Sequence, residues 1–339
     1  MKSKKIIALN LLMICLSMTV FAKTKIVTTI FPEYDWVRNI TGEKNPDVEI
    51  TFLMNNGVEL HSFQPSVKDI AKIGDSDIFI YVGGESDEWV DDVLKTARNK
   101  NLVAVNLMQL LGDALREEEV VEGMEVAHHD GEHHHEGHHH GHDGEHDHED
   151  CDECDDDDDE IEYDEHIWLS LRNAKIVCIE IAKVLGEKDA KNKALYTSNC
   201  KAYCEKLDAL DKEFAGAVQN SKRKTVLFAD RFPFVYLVKD YGLDYFAAFS
   251  GCSAETEASF KTVAFLASKV KELELPYVLQ IENNNSKMAN TVIKTSKCKD
   301  VKVMTVNSMQ STTAREIKEG QNYLDIMKAN LEIIKKAIN

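Results

Sequence analysis

From Lys25 to about Gly112 the chain alternates short runs rich in β-branched residues with amphipathic stretches. Lys25 to Ile30, Val48 to Leu53, Ile78 to Val82 and Leu102 to Val105 are the β-rich runs, and Asp87 to Ala97 carries apolar residues at helical spacing. This alternation predicts parallel α/β layering. From about Lys191 to Gln219 the period changes. Tyr196, Cys200, Tyr203, Cys204, Leu207, Leu210 and Phe214 recur every three or four residues, with no proline and no glycine before Gly216. The pattern predicts one helix of roughly 40 Å at about 1.5 Å per residue, long enough to join two domains. A second α/β set follows, with Thr225 to Phe228, Phe234 to Asp240, Ser259 to Glu272, Tyr277 to Ile281, Ser286 to Ser296, Val301 to Val306 and a closing helix from about Gly320.

Two other stretches do not fit either lobe. At the start, Lys2, Lys4 and Lys5 precede the apolar run Ile6 to Val20, and Val20-Phe21-Ala22 ends on a small residue. This reads as an export signal cleaved after Ala22, because the run is short for a membrane span of roughly 20 residues. A lipid-modified Cys15 is the rival reading; Leu12-Met13-Ile14-Cys15 lacks the small residue expected before such a cysteine. Between Glu117 and Asp164 the sequence is low in complexity and too polar to offset the entropy of ordering it, which predicts a disordered insertion. The chain therefore divides into an export segment (1–22), an N-terminal α/β lobe (23–188) carrying the insertion (117–164), a linking helix (189–219) and a C-terminal α/β lobe (220–339).

The formal charge of -19 is concentrated in that insertion. Glu117 to Glu165 holds 24 acidic residues and no Lys or Arg, leaving 35 acidic against 40 basic residues elsewhere. The folded body is near neutral, and no basic stripe suggests a nucleic-acid partner. Outside Cys15, seven cysteines remain, an odd number that in an exported chain implies at least one free or metal-bound thiol.

Histidine placement carries the chemistry. Eleven of the 13 histidines fall between His128 and His148 among Asp, Glu and Gly. Imidazoles with carboxylates suit zinc and its neighbours, bound weakly because the segment must be ordered on binding. The adjacent Cys151-x-x-Cys154 lacks the second pair of a structural zinc site. The remaining two are His61, in the Gly57 to Ser66 loop after a predicted strand, and His166, in Asp164-Glu165-His166-Ile167-Trp168-Leu169 before a predicted helix. Such junctions are where α/β proteins place ligands. Glu59 and Glu165, beside the two histidines, are expected to orient the imidazoles or to pair with charges. H-E-x-x-H, G-x-S-x-G and a phosphate-cradling glycine loop are all missing, which argues against an enzyme such as a zinc hydrolase.

Thr28-Thr29-Ile30-Phe31-Pro32, the loop around His61, His166-Ile167-Trp168-Leu169 with Arg172-Asn173-Ala174, and Tyr241-Gly242-Leu243 resemble the TroA-like (cluster 9) solute-binding proteins of ABC importers, most closely the zinc-uptake branch. The resemblance runs from about residue 25 to the end. It implies two α/β lobes with parallel sheets, bridged by one long helix, with the metal in the inter-lobe cleft. It also implies delivery of the ion to a membrane permease, with His61 and His166 as ligands; the chain is expected to be a monomer. The third ligand, a His or Glu in the family, has no clear counterpart. Phe228-Ala229-Asp230-Arg231 occupies the region, and Asp230 alone there can ligate. Asn307-Ser308 replaces the family's last Asp, so Glu282 is the fourth expected ligand. Zn²⁺ fits this set, and Mn²⁺ or Fe²⁺ would accept it; an extracytoplasmic zinc buffer with no permease is a further alternative. Some zinc-branch relatives carry a C-lobe disulfide, which makes Cys252 and Cys298 an expected pair.

Overall fold

The computed structural model describes residues 23–125, 162–253 and 258–339. The predicted export segment, the His-rich tract and Cys151-x-x-Cys154 lie outside them. Two compact units are present. The first is made of residues up to 110, 175–207 and 309–323, and the second of 111–174, 208–308 and 324–339.

In the first unit, strands β1 (Thr24–Thr28), β2 (Val48–Phe52), β3 (Ile78–Tyr81) and β4 (Val103–Asn106) form one parallel sheet in the order β2-β1-β3-β4. Helices α1 (Phe31–Thr41), α2 (Val67–Gly74) and α3 (Trp89–Thr96) make the crossovers that parallel pairing requires. All four residues of β3 are buried, as expected of a strand covered on both faces. Phe79 packs with Val27, Leu53, Ile73, Val90 and Val93 in one core cluster.

After α4 (Leu107–Leu111), helices α5 (Leu171–Lys188) and α6 (Lys193–Gln219) lead in sequence to the second sheet. At 27 residues, α6 matches the helix expected from the apolar period, and all seven residues of its predicted stripe are buried. The second unit repeats the architecture. Strands β5 (Thr225–Phe232), β6 (Asp244–Ser250), β7 (Tyr277–Ile281) and β8 (Lys302–Val306) pair in parallel in the order β6-β5-β7-β8. Helices α7 (Val235–Tyr241), α8 (Phe260–Glu272) and α9 (Lys287–Ser296) connect them, and α10 (Ala314–Lys318) and α11 (Tyr323–Ala337) close the chain. Helix α8 packs Leu266 and Val270 against Leu227, Ala248 and Val278.

The sequence pattern missed β6. Asp244-Tyr245-Phe246-Ala247-Ala248-Phe249-Ser250 shows neither period 2 nor a β-branched residue, and its alanines favour helix. Pairing with β5 from Thr225↔Asp244 to Phe232↔Ser250 makes it a strand. The ends of the expected insertion also differ from expectation. Glu118 N donates to the Glu162 carbonyl and Asp164 N to the Arg116 carbonyl, both at 2.9 Å, so the two flanks are tied together. Glu125 N bonds the Ala248 carbonyl at 2.9 Å, and its carboxylate accepts from Ser259 N at the start of α8 at 2.7 Å. Composition does not reveal backbone pairing between segments far apart in sequence.

The Thr28-Thr29-Ile30-Phe31-Pro32 motif is the turn from β1 into α1. Pro32 occupies the first helical turn, where a missing N–H costs nothing. Glu33 Oε2 accepts from Thr29 N at 2.8 Å, Ile30 N at 3.2 Å and Thr29 Oγ1 at 3.1 Å. The residue is fully buried. Burial first, then the nearby charge of Asp87, push the Glu33 carboxyl well above the usual carboxylate range, outweighing those hydrogen bonds. A carboxyl whose pKa is higher folded than unfolded binds more protons in the native state. Its contribution to stability is therefore present in acid and is lost as pH rises through the folded value. Glu33→Gln keeps the neutral form at every pH. The variant's stability relative to the parent should therefore rise between about pH 5 and about pH 8 in urea unfolding of metal-free protein; a difference that does not change with pH would rule out this ionisation cost.

Candidate metal centre

In the first unit, His61 lies on the short helical turn Leu60–Ser62, in the loop between β2 and α2. The loop is shaped at both ends. Gly57 has φ +83°, and a Cβ there would lie 3.3 Å from Thr313 Cγ2 and 3.4 Å from the Ser311 carbonyl, so glycine suits both the backbone and the space. Ala314 N donates to the Asn55 carbonyl at 2.8 Å. At the far end Ser66 caps α2: Asp69 N donates to its hydroxyl at 3.3 Å and Asp69 Oδ2 accepts from Ser66 N at 3.2 Å. Leu60 is buried beside the half-buried imidazole. His61 Nδ1 is 2.8 Å from Ser86 Oγ, on the turn Glu85–Asp87 after β3. Asp87 Oδ2 in turn accepts from Gly83 N at 3.0 Å, steadying that turn. With Nδ1 engaged by Ser86, Nε2 is the ring nitrogen suited to an ion.

In the second unit, His166 is fully buried at the start of the turn Ile167–Leu169. Its backbone N donates to Asp164 Oδ1 at 2.8 Å, and its Nδ1 lies 3.1 Å from the same oxygen. Tyr236 hydroxyl donates to the Asp164 carbonyl at 2.8 Å. The edge of Trp168 packs on the imidazole with centroids 5.2 Å apart, and its Nε1 donates to the Ser308 carbonyl at 2.8 Å. A carboxylate on Nδ1 sets the tautomer and aims Nε2, the arrangement common behind zinc-bound histidines. Asp164 thus has the orienting role expected of Glu165, which is its buried neighbour.

Beyond β6, Gly251 passes directly against this imidazole. A Cβ there would lie 2.9 Å from His166 Cε1, closer than real Cβ atoms come, and 3.1 Å from Nδ1 and 3.0 Å from the Phe232 carbonyl oxygen, tighter than most. The next residue, Cys252, brings its sulfur within 4.8 Å of a His166 ring nitrogen. Burial, and then the charges of Asp164, Glu118 and Glu165, push the Cys252 thiol up, so without a cation the sulfur holds its proton. A cation reverses that preference, because its own charge and its bond to sulfur favour the thiolate. The expected Cys252–Cys298 disulfide is not formed; both thiols are free. Cys252 follows a strand that periodicity did not reveal, and only its odd-thiol count hinted at it.

Asp230 and Glu282 are placed differently. Asp230 is buried, and its carboxylate accepts from Arg231 N at 2.9 Å, Ile281 N at 3.0 Å and Asn284 Nδ2 at 2.7 Å. It ties β5 to the end of β7. Glu282 accepts from Ser308 N and Ser308 Oγ, both at 2.7 Å, and ties the end of β7 to the residue two beyond β8. Neither carboxylate belongs with the metal-ligand atoms gathered at His166 and Cys252.

A family model described as "Zinc-uptake complex component A periplasmic" (ZnuA) matches residues 26–337, nearly the whole described chain. The chain belongs to this family. The family's description names a component of a zinc-uptake complex. The zinc-binding lipoprotein AdcA of Streptococcus pneumoniae is 32% identical over 314 residues, covering 93% of this chain and 56% of that protein. This chain thus spans about half the length of the AdcA proteins it matches. The high-affinity zinc uptake system protein ZnuA of Bacillus subtilis is 29% identical over 316 residues, covering 93% and 88% of the two chains. The crystal structure of the Zn(II)-bound ZnuA-like domain of S. pneumoniae AdcA superposes with a TM-score of 0.67 at 28% identity, covering 94% of this chain and 99% of that one.

Asp164 gives the site its clearest test. Asp164→Asn removes the charge that orients and polarises His166 and should lower zinc affinity by about 10 to 100-fold, the range for outer-shell partners of zinc ligands. Competition with a chelator measures it. Unchanged affinity would mean that Asp164 serves only to shape the turn.

Proposed function

We propose that this chain is the extracytoplasmic zinc-binding protein of an ABC-type importer, which captures Zn²⁺ on His61 and His166 and delivers it to a membrane permease. The observation that carries this reading is the buried His166, its Nδ1 on Asp164 and a thiol beside it. A buried imidazole aimed by a carboxylate is organised for a cation before the cation arrives. Family membership supplies zinc uptake as the process. Export rests on the signal-like start of the chain, and the lipoprotein relative keeps an anchored form open to test. Loss of zinc uptake in cells lacking the gene, restored by the full chain but not by His166→Ala, is the deciding experiment. Unimpaired uptake in the deletion would favour the buffer reading.

The mature chain should bind one zinc equivalent tightly and several more weakly. A preorganised site avoids an ordering cost that a polar tract must meet. Calorimetry on a chain lacking 127–155 should show loss of the weak equivalents alone. Because zinc displaces protons from imidazole, the tight affinity should fall steeply between about pH 7.5 and about pH 5.5; a flat profile would exclude two histidine ligands.

Asp230 and Glu282 act in this proposal as braces for the strand ends. Asp230→Ala leaves Ile281 N and the Asn284 amide without their acceptor, which should cost about 1–3 kcal/mol of stability. Zinc affinity should change by less than about tenfold, below the range for an outer-shell loss. Thermal unfolding and chelator competition read the two effects separately. A collapse of affinity without a fall in stability would return Asp230 to the ligand set.

A further inference from the structure

We propose that Cys252 ligates the same ion as His166 through its thiolate and sets the preference of the site for zinc over manganese. The inference rests on the zinc-binding reading above. Within the second unit, a His166 ring nitrogen and the Cys252 sulfur lie within 4.8 Å; an ion at about 2.0–2.1 Å from nitrogen and about 2.3 Å from sulfur spans at most about 4.4 Å, so a small side-chain adjustment brings both onto one ion. The neighbouring residue is shaped for this approach. Gly251 is the position where any side chain would strike the imidazole and the Phe232 carbonyl, so a glycine there is what allows the next side chain to stand beside the ring.

Charge points the same way. Asp164 Oδ2 is buried and accepts no hydrogen bond, and Glu165 is buried next to it. One thiolate and one orienting carboxylate match the charge of a divalent ion. Asp230 and Glu282, by contrast, are committed to backbone and side-chain donors. On binding, the S–H bond breaks, its proton leaves to solvent and the sulfur lone pair forms the metal bond, with no change of oxidation state. Thiolate is a soft donor that favours zinc and its later neighbours, whereas manganese prefers oxygen. A site closed by sulfur therefore discriminates against Mn²⁺ more strongly than one closed by a carboxylate.

Cobalt(II) is the probe, since it takes similar sites and reports sulfur ligation by an intense near-ultraviolet charge-transfer band. The full chain should carry Cys151→Ser and Cys154→Ser so that the tract adds no thiolate of its own. This parent should show the band, and adding Cys252→Ser should abolish it. Circular dichroism confirms that the near-isosteric change leaves the fold intact. In Zn²⁺ against Mn²⁺ competition, Cys252→Asp, which restores an oxygen ligand, should lower the zinc preference at least about tenfold. A parent that binds zinc tightly without the band, or a band that survives Cys252→Ser, overturns the thiolate assignment and leaves the zinc-binding reading intact. An unchanged zinc preference in Cys252→Asp overturns the selectivity role. A parent that binds no zinc tightly overturns both readings.

Discussion

Parallel strand pairing is the constraint on which the site depends. A parallel strand cannot return by a tight turn, so the chain crosses the sheet through a helix and leaves a loop at each strand's carboxyl end. Open α/β sheets gather their ligands at those ends. The pattern holds in both units. His61 follows β2, Ser86 follows β3, Cys252 follows β6, Glu282 follows β7 and Ser308 follows β8. The donors and their supports are thus products of the same topology.

Within that frame, the loops are made rigid by polar groups that cannot be left unsatisfied. Ser86 holds His61, and Asp164 holds His166 through one oxygen shared between backbone and ring. Asp230 and Glu282 join strand ends in the second unit. The bonds at Asp164 and Asp230 are made to charged groups that are buried, where losing a partner costs more than the bond's net gain. Rigidity matters for a binding protein because imidazoles fixed in advance do not have to be ordered when the ion arrives.

The buried acids serve two separate ends. Around His166 and Cys252, burial and nearby negative charge raise the cost of a thiolate, a cost that a bound cation offsets. Glu33, far from that chemistry in sequence, has its carboxyl pushed well above the usual carboxylate range by burial and serves the turn from β1 into α1. Both follow from taking carboxylates out of water, and they differ in whether a cation is there to compensate.

Periodicity was enough to predict parallel α/β layering and the long α6, because burial of a helical stripe or a two-sided strand imposes its pattern directly on the sequence. Scarcity was enough to single out His61 and His166, since all other histidines fall in one tract. The role of Asp164, the bracing by Asp230 and Glu282 and the approach of Cys252 were decided by tertiary structure. Asp164 looked like part of a polar insertion until backbone bonds tied its flanks together. Cys252 follows a strand whose alanines disguise it and which exists because β5 pairs with it. A carboxylate's chemistry in isolation is the same whether it binds metal or a peptide N–H; the partners brought to it by distant segments determine which it does.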